Sequence, residues 1–148
     1  MSDEMEIPLR TKSALATLKP QVIAIDTSNV GPKLVRGYTF NVYVAGQKRT
    51  LGVYNEYFGI KSKSHANWIV TDLDSGRALT RAWAACGTRK GAIRRLFETN
   101  EFSNWCSLLE NARKDFEAGR ENRYSKCCED FEIACRRCGY VRGVTHER

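Results

Sequence analysis

The sequence predicts an α+β domain, with a small antiparallel sheet of two hairpins plus an N-terminal strand, covered by two or three C-terminal helices. Polar and apolar residues alternate between positions 37 and 45, which is the period of a half-buried strand. After residue 88, apolar residues recur every three or four positions, which is the period of a helix. Strands followed by helices are typical of α+β folds, and a chain of 148 residues suffices for one sizeable core.

We therefore expect a single domain over residues 1–148. Its expected parts are a lead-in (1–20), a β region (21–86), a helical region (88–139) and a tail (140–148). The lead-in is irregular or briefly helical and ends at Pro20. The segment QVIAID that follows is apolar and β-branched and suits a strand, which SNVGP is expected to break.

Two β-hairpins are predicted next. Residues 37–45 form one strand, AGQK turns the chain, and RTLGVYNEYF returns. After the polar loop GIKSKSHAN, the segments NWIVTDL and RALTRAWAA are the strands of the second hairpin. Asp-Ser-Gly is its turn, because Gly76 can adopt a positive φ.

Three helices are predicted after the sheet. Thr88 is the expected N-cap of the first helix, RKGAIRRLFE. The second, EFSNWCSLLENARKDFEA, has apolar residues at spacings of three and four from Phe102 to Phe116, and Gly119 is its expected C-cap. The third, RENRYSKCCEDFEIACRRC, is expected to end at Gly139.

The third helix contains four of the six cysteines of the chain. Together with two aromatic residues they recur at helical spacing, as one stripe: Tyr124, Cys127, Cys128, Phe131, Cys135 and Cys138. Free cysteine behaves as a small buried hydrophobe. We therefore interpret the stripe as a packing surface of the helix, with a homodimer seam along it as an alternative.

The same cysteines admit a zinc site as a minority hypothesis. Zinc takes four ligands, often delivered in C-x₂-C pairs, and CRRC is one such pair. The candidate ligands are Cys128, Cys135, Cys138 and His146. The second pair, Cys127–Cys128, is adjacent, and adjacent side chains on a helix point about 100° apart. We therefore predict no resident cofactor, with zinc as the alternative.

The chain is basic, and its charges are segregated. It has 24 Lys and Arg against 17 Asp and Glu, a formal net charge of +7, which favours anionic partners. Residues 75–97 contain no acid but six bases, namely Arg77, Arg81, Arg89, Lys90, Arg94 and Arg95. A second acid-free stretch, residues 27–55, includes Lys48 and Arg49. Solubility alone does not explain this segregation.

The start of the first helix is the strongest candidate site. Arg89 and Lys90 lie in its first turn, where cations oppose the macrodipole at a cost of about 0.3–1 kcal/mol each. Free backbone N–H groups after Gly87 complete an anion pocket. The predicted ligand-binding residues are Arg77, Arg81, Trp83, Thr88, Arg89, Lys90, Arg94, Arg95, Lys48 and Arg49, with Trp68 as a second stacking residue.

The first hairpin adds a resemblance to a known family. FNVYVAGQKRTLGVY resembles the sheet hairpin of AP2-type and phage-integrase N-terminal DNA-binding domains. In that family the basic turn and the Leu-Gly-aromatic return strand lie in the major groove, which implies a DNA-facing hairpin here. A helix follows the family's hairpin directly, whereas a loop and a second hairpin intervene in this chain.

The sequence offers little for catalysis. Asp26 ends an apolar strand, as in metal-dependent nucleases of the RNase H class, but such sites need further carboxylates in one pocket. The candidates, Asp72 and Asp74, fit better as turn formers. His65 is a lone histidine in a polar loop. Because no acid, base and nucleophile converge, we predict that the protein is not an enzyme.

The sequence therefore predicts a small non-enzymatic protein that binds a phosphate-bearing ligand. Nucleic acid is favoured because the bases are spread over two hairpins and a helix start. One alternative is a protein that sequesters a nucleotide or cyclic-nucleotide signal at residues 87–90. Another is an inhibitor of the phage or mobile-element kind that docks on an acidic surface of a nucleic-acid-handling, host-defence complex. Without a signal peptide or membrane span, we expect a cytoplasmic protein with reduced cysteines and no membrane partner.

Overall fold

The computed structural model describes residues 3–27, 30–56, 67–80 and 87–140, and its architecture is α+β, as predicted. In chain order the elements are α1 (Asp3–Leu15), β1 (Lys19–Thr27), β2 (Gly31–Val44), β3 (Gln47–Asn55), β4 (Trp68–Asp72), α2 (Arg89–Glu98), α3 (Glu101–Glu117) and α4 (Arg123–Arg137). The strands form one antiparallel sheet of order β1-β2-β3-β4. Each strand therefore lies beside the next one in the chain.

The hairpin predicted around AGQK is confirmed as β2–β3. Ala45 and Gly46 at its turn both have positive φ, 50° and 78°, which matches the twist of the flanking strands. The register places Phe40 of β2 opposite Leu51 of β3. Both are buried on the face of the sheet that carries the main core.

The first two strands are longer than the sequence pattern predicts. β1 begins at Lys19 and includes Pro20, which an edge strand tolerates although proline lacks an N–H donor. Thr27, the last residue of β1, pairs with Gly31, the first of β2. The SNVGP segment therefore joins two paired strands instead of breaking the sheet, so β1 and β2 form a further hairpin.

The second predicted hairpin is present in part. β4 lies where NWIVTDL was predicted as a strand, and Gly76 in the turn has a φ of 71°. The return segment makes one isolated bridge to β4, between Thr71 and Ala78. Residues 81–86, the rest of the predicted return strand, lie outside the described residues.

The predicted lead-in contains a regular helix, α1, which continues through Pro8. Ala14 of this helix is fully buried and belongs to the main core. Thr11 is also buried, and its hydroxyl donates to the carbonyl oxygen of Ile7 at 2.8 Å. The apolar pattern of α1 is weak, so packing against the sheet and α2, more than local propensity, decides that this segment is part of the fold.

Two clusters of buried side chains hold the elements together. The main core lies between the sheet and α1, α2 and α3, and comprises Ala14, Phe40, Val42, Leu51, Val53, Val70, Ala92, Ile93, Leu96, Phe102 and Trp105. A smaller cluster attaches α4 to the first two strands, with Ala24, Leu34, Phe131, Cys135 and Tyr140.

The cysteine stripe lies on a helix, as predicted, and its central part is buried. Phe131 and Cys135 of α4 face the smaller cluster. Cys127 and Cys128 are half-buried at the same helix. Phe131 and Cys135 therefore serve packing between α4 and the sheet.

The end of α4 differs from the predicted stripe. Gly139 has a φ of 81°, and the N–H of Tyr140 donates to the carbonyl oxygen of Cys135 at 2.8 Å, which is a Schellman C-cap. Cys138 is exposed, contrary to the prediction. The reason is that the chain turns at Gly139, and Tyr140 packs against the cluster instead.

The apolar face predicted for α3 is buried only in its first turns. Phe102 and Trp105 lie in the main core, whereas Phe116 is 85% exposed. Spacing at three and four residues identifies a helix face but not the point at which the helix extends past its partner. Gly119 ends the helix with a φ of 69°, as predicted. In the described part of the chain, no helix combines the length and hydrophobicity that crossing a membrane requires.

Candidate functional site

The start of α2 has the N-cap that the sequence predicts. Thr88 has an extended backbone, and its Oγ1 accepts a hydrogen bond from the N–H of Gly91 at 3.0 Å. This cap places Arg89 and Lys90 in the first helical turn, which contains no acid. The Thr88 hydroxyl is thus engaged within the cap, whereas Arg89 and Lys90 are exposed.

Arg89 lies over an aromatic ring of the sheet. Its guanidinium carbon is 4.3 Å from the ring centroid of Tyr38, and its Nη1 donates to the Tyr38 hydroxyl oxygen at 3.1 Å. The ring centroid of Trp68 is 6.1 Å from that of Tyr38, with 49° between the ring planes. We call these three residues the Arg89 stack.

The register of the sheet explains how the two rings meet. Tyr38 of β2 lies opposite Val53 of β3, and Trp68 of β4 lies opposite Asn55 two positions further along β3. Side chains two positions apart on a strand share a face, so both rings stand on the same side of the sheet and meet across β3. Their separation is in the range of about 4.5–7 Å that is usual for interacting aromatic pairs.

The charges around the Arg89 stack are largely uncompensated. Within the described residues, Arg89, Lys90 and Arg95 form no ion pair. Arg94 differs, because its Nε lies 3.2 Å from Oε1 of Glu98 in the same helix. The first two turns of α2 therefore present positive charge beside two half-buried aromatic rings.

The other predicted basic residues lie apart from this stack. Lys48 and Arg49 of β3 line a separate cavity together with Lys19 of β1. Arg77 is exposed in the segment after β4, and its carbonyl oxygen accepts a hydrogen bond from the hydroxyl of Thr71 at 3.0 Å. The predicted basic set is thus divided between at least two places on the protein.

Sequence reasoning missed Tyr38 as a site residue. Of the two predicted stacking residues, Trp68 is in the stack, whereas Trp83 lies outside the described residues, as does Arg81. The available signal was a tyrosine in a strand, followed on the same face by Phe40, Val42 and Val44. Only the packing of α2 on the sheet reveals that Tyr38 meets Arg89.

One of the carboxylates considered for catalysis, that of Asp72, has a structural role. Asp72 is 2% exposed, and its carboxylate accepts hydrogen bonds from the N–H of Asp74 at 3.1 Å, from Oγ of Ser75 at 3.0 Å and from the hydroxyl of Tyr124. Burial, and then the neighbouring Asp72, raise the pKa of the Tyr124 phenol well above its ordinary value, so it remains a donor. Asp26 is exposed at the end of β1. Asp72 is confirmed as a turn former.

The residues considered for metal binding do not converge in the described ranges. Among residues 3–27, 30–56, 67–80 and 87–140, no group of three or more His, Cys, Asp or Glu side chains is arranged to hold a metal ion. His146, the fourth candidate zinc ligand, lies outside these ranges, as does His65. Zinc binding stays a minority alternative.

No protein-family model, no curated protein and no solved structure matches this chain. The hairpin that resembles the AP2-type DNA-binding hairpin is followed, among the described elements, by β4 and not by a helix. The chemistry of the site is therefore inferred from its own residues. These are a guanidinium plane, two aromatic rings and further uncompensated cations at a helix start.

Proposed function

We propose that this protein binds single-stranded nucleic acid through the Arg89 stack. The observation that carries the proposal is the position of the Arg89 guanidinium, 4.3 Å from the Tyr38 ring centroid, at the start of a helix without acids in its first turn. Bases stack on aromatic rings and on guanidinium planes, while Arg and Lys bind phosphates. One small surface thus offers both kinds of contact that a nucleic-acid strand needs.

A single strand fits this surface better than a duplex. A base must leave its stack before its face can meet an aromatic side chain or a guanidinium plane. Such stacking is worth about 1–3 kcal/mol per base and tolerates any sequence, because every base has a π face. We therefore expect affinity with little sequence preference.

Charge supports the same function. Lys90, next to Arg89 in the chain, and Arg95, further along α2, are exposed and have no carboxylate partner within the described residues. Contacts from such cations to phosphates release counterions, which makes binding salt-dependent. The formal net charge of +7 further favours the approach of a polyanion.

Fluorescence anisotropy with a labelled single-stranded oligonucleotide, at low and at physiological salt, tests the proposal. We expect salt-dependent binding that Arg89→Ala weakens about tenfold, as the loss of a stacking and a phosphate contact implies. Arg94→Ala is the matched control, because it removes the same charge from the same helix but from a residue already paired with Glu98. Circular dichroism establishes that both variants are folded.

Three outcomes would contradict the proposal. The first is the absence of salt-dependent binding to any strand, which would favour docking on an acidic protein surface. The second is binding of a single nucleotide as tight as that of the strand, which would favour a nucleotide-sequestering protein. The third is an equal loss of affinity in the Arg89 and Arg94 variants, which would mean that charge alone acts and the stack has no role.

A further inference from the structure

A polar cavity of about 460 Å³ lies at the sheet, away from the Arg89 stack. Three cations border it: Lys19 of β1, and Lys48 and Arg49 of β3. Its volume is in the range of roughly 300–1,000 Å³ that is typical of small-molecule sites. The cavity is therefore large enough for more than a bare ion.

The register of the sheet brings polar side chains of three strands to this cavity. Lys19 of β1 pairs with Thr39 of β2, and Asn41 of β2 pairs with Thr50 of β3. Because side chains alternate along a strand, Thr39 and Asn41 stand on the face opposite to the core residue Phe40. This face is the floor of the cavity.

The polar floor is held in place by its own hydrogen bonds. The Thr39 hydroxyl donates to Oε1 of Gln21 at 3.1 Å, and the Thr50 hydroxyl donates to Oδ1 of Asn41 at 2.9 Å. Each of the two amides is therefore anchored through its oxygen. Their NH₂ groups have no acceptor within the described residues and are the donors left for a ligand.

The charges at the cavity favour an anionic ligand. In the described part of the chain, Lys19, Lys48 and Arg49 form no ion pair, while Asp74 adds one carboxylate to the lining. Lys19 pairs with Thr39 and Lys48 pairs with Tyr43, so both lysines stand on the face that forms the floor. Arg49 pairs with the core residue Val42, so its side chain stands on the other face. A phosphate monoester carries about −1.5 to −2 at pH 7, which makes it the complementary group.

A buried donor without a partner also borders the cavity. Trp105 is 3% exposed and contributes to the lining, and its indole N–H has no acceptor among the described residues. A buried polar group without a partner costs about 1–3 kcal/mol. Because Trp105 also packs in the main core, it closes one wall of the cavity.

We propose that this cavity binds a small phosphate monoester on a hydroxylated carbon skeleton, such as a sugar phosphate or the ribose phosphate of a nucleotide. The phosphate lies between Lys19 and Lys48, and the hydroxyl groups meet the amides of Gln21 and Asn41. The site shares no residue with the Arg89 stack. The inference is therefore independent of the proposed nucleic-acid binding.

Isothermal titration calorimetry of the full chain with ribose 5-phosphate tests the proposal. We expect saturable binding, at least tenfold weaker binding of inorganic phosphate, and no binding of ribose. Lys48→Gln is expected to weaken binding about tenfold. Lys33→Gln is the matched control, because Lys33 is an exposed strand lysine that does not line the cavity. Affinity is expected to fall below about pH 6, where the phosphate dianion gains a proton and becomes a monoanion.

Titration with adenosine monophosphate distinguishes a nucleotide ligand from a sugar phosphate ligand. Affinity equal to or above that of ribose 5-phosphate assigns the ligand to the nucleotides, and lower affinity assigns it to the sugar phosphates. The absence of ribose 5-phosphate binding overturns the proposal, as does equal affinity for inorganic phosphate or equal weakening by Lys33→Gln. Arg89→Ala is expected to leave ribose 5-phosphate binding unchanged, so the failure of either proposal can be recognised separately.

Discussion

The hydroxyl of Tyr124, at the start of α4, donates a hydrogen bond to the buried carboxylate of Asp72, the last residue of β4. The same carboxylate accepts hydrogen bonds from Asp74 and Ser75 in the turn that follows. No cation pairs with Asp72 among the described residues, so its buried charge depends on these donors. One side chain thus organises the turn after β4 and attaches α4 to the sheet.

Tyr124→Phe is therefore expected to destabilise the protein by about 1–3 kcal/mol, because a buried carboxylate loses a donor. Urea denaturation followed by circular dichroism measures this change. Tyr43→Phe is the control, since Tyr43 is exposed on β2 and its loss of a hydroxyl leaves no buried group unpaired. Equal effects of the two substitutions would show that the Tyr124 hydrogen bond does not hold α4 in place.

Gly76→Ala is expected to be more destabilising than Gly46→Ala. Both glycines have positive φ, 71° and 78°, so alanine strains the backbone by about 1–2 kcal/mol at either position. At Gly46 nothing lies within 4 Å of an added Cβ, whereas at Gly76 it would meet the Phe131 ring and lie 2.8 Å from the backbone nitrogen of Asp26. Overpacking of this kind adds about 1–3 kcal/mol.

Thermal denaturation compares the Gly46 variant, which has backbone strain alone, with the Gly76 variant, which has backbone strain and a steric clash. The difference between their melting temperatures reports how closely α4 packs on the turn after β4. Similar melting temperatures would contradict the contact between Gly76 and Phe131.

Phe116→Ala is expected to change the free energy of unfolding by less than about 0.5 kcal/mol, because Phe116 is 85% exposed. Phe102→Ala removes the same atoms from a residue that is 9% exposed and packs on Trp105, and is expected to cost about 3–5 kcal/mol. Chemical denaturation measures both. A comparable loss at Phe116 would mean that the end of α3 is covered in solution.

The link between α3 and α4 is expected to depend on pH. Asn122 donates to Oδ2 of Asp115 at 2.8 Å and Arg120 donates to Oδ1 at 3.2 Å, and both interactions lower the pKa of the Asp115 carboxyl. A lowered pKa in the folded state stabilises the fold above the unfolded pKa of about 3.9, and this contribution is lost as the pH falls through the lower value.

Asp115→Asn is thus expected to lower the melting temperature near neutral pH. The difference in melting temperature from the parent protein is expected to shrink as the pH falls toward about 2. Glu129→Gln, which neutralises an exposed carboxylate of α4, controls for the change in net charge. A difference between Asp115→Asn and the parent protein that stays constant with pH would argue against the two hydrogen bonds.

Arg89→Lys separates stacking from charge at the proposed nucleic-acid site. Lysine keeps the positive charge but lacks the planar guanidinium that lies over Tyr38. We expect weaker binding of a single-stranded oligonucleotide with an unchanged slope of log affinity against log salt, because the number of phosphate contacts is preserved. Anisotropy titrations over a salt series measure both quantities, and unchanged affinity would assign Arg89 a purely electrostatic role.

Much of the fold follows from local patterns. The alternation in residues 37–45 predicts the β2–β3 hairpin, and the helix bounds follow from Thr88, Gly119 and Gly139, whose caps are made by neighbours in the chain. Such signals can be recognised in the sequence because each of these contacts joins residues that are only a few positions apart in the chain. Local patterns do not reveal that Ala14 of α1 is buried or that Phe116 is exposed, because both depend on elements far along the chain.

By itself, then, the sequence determined the fold class, the order of the sheet before the C-terminal helices, the helix start at Thr88 and the excess of positive charge. Tertiary structure alone decided which of those charges act together. It placed Arg89 over Tyr38, at a sequence separation of 51 residues. It placed Lys48 and Arg49 at a different cavity, which Lys19 also lines. The physical reason is that periodicity reports the face on which a side chain lies, whereas the register of the sheet and the packing of α2 determine what that face meets.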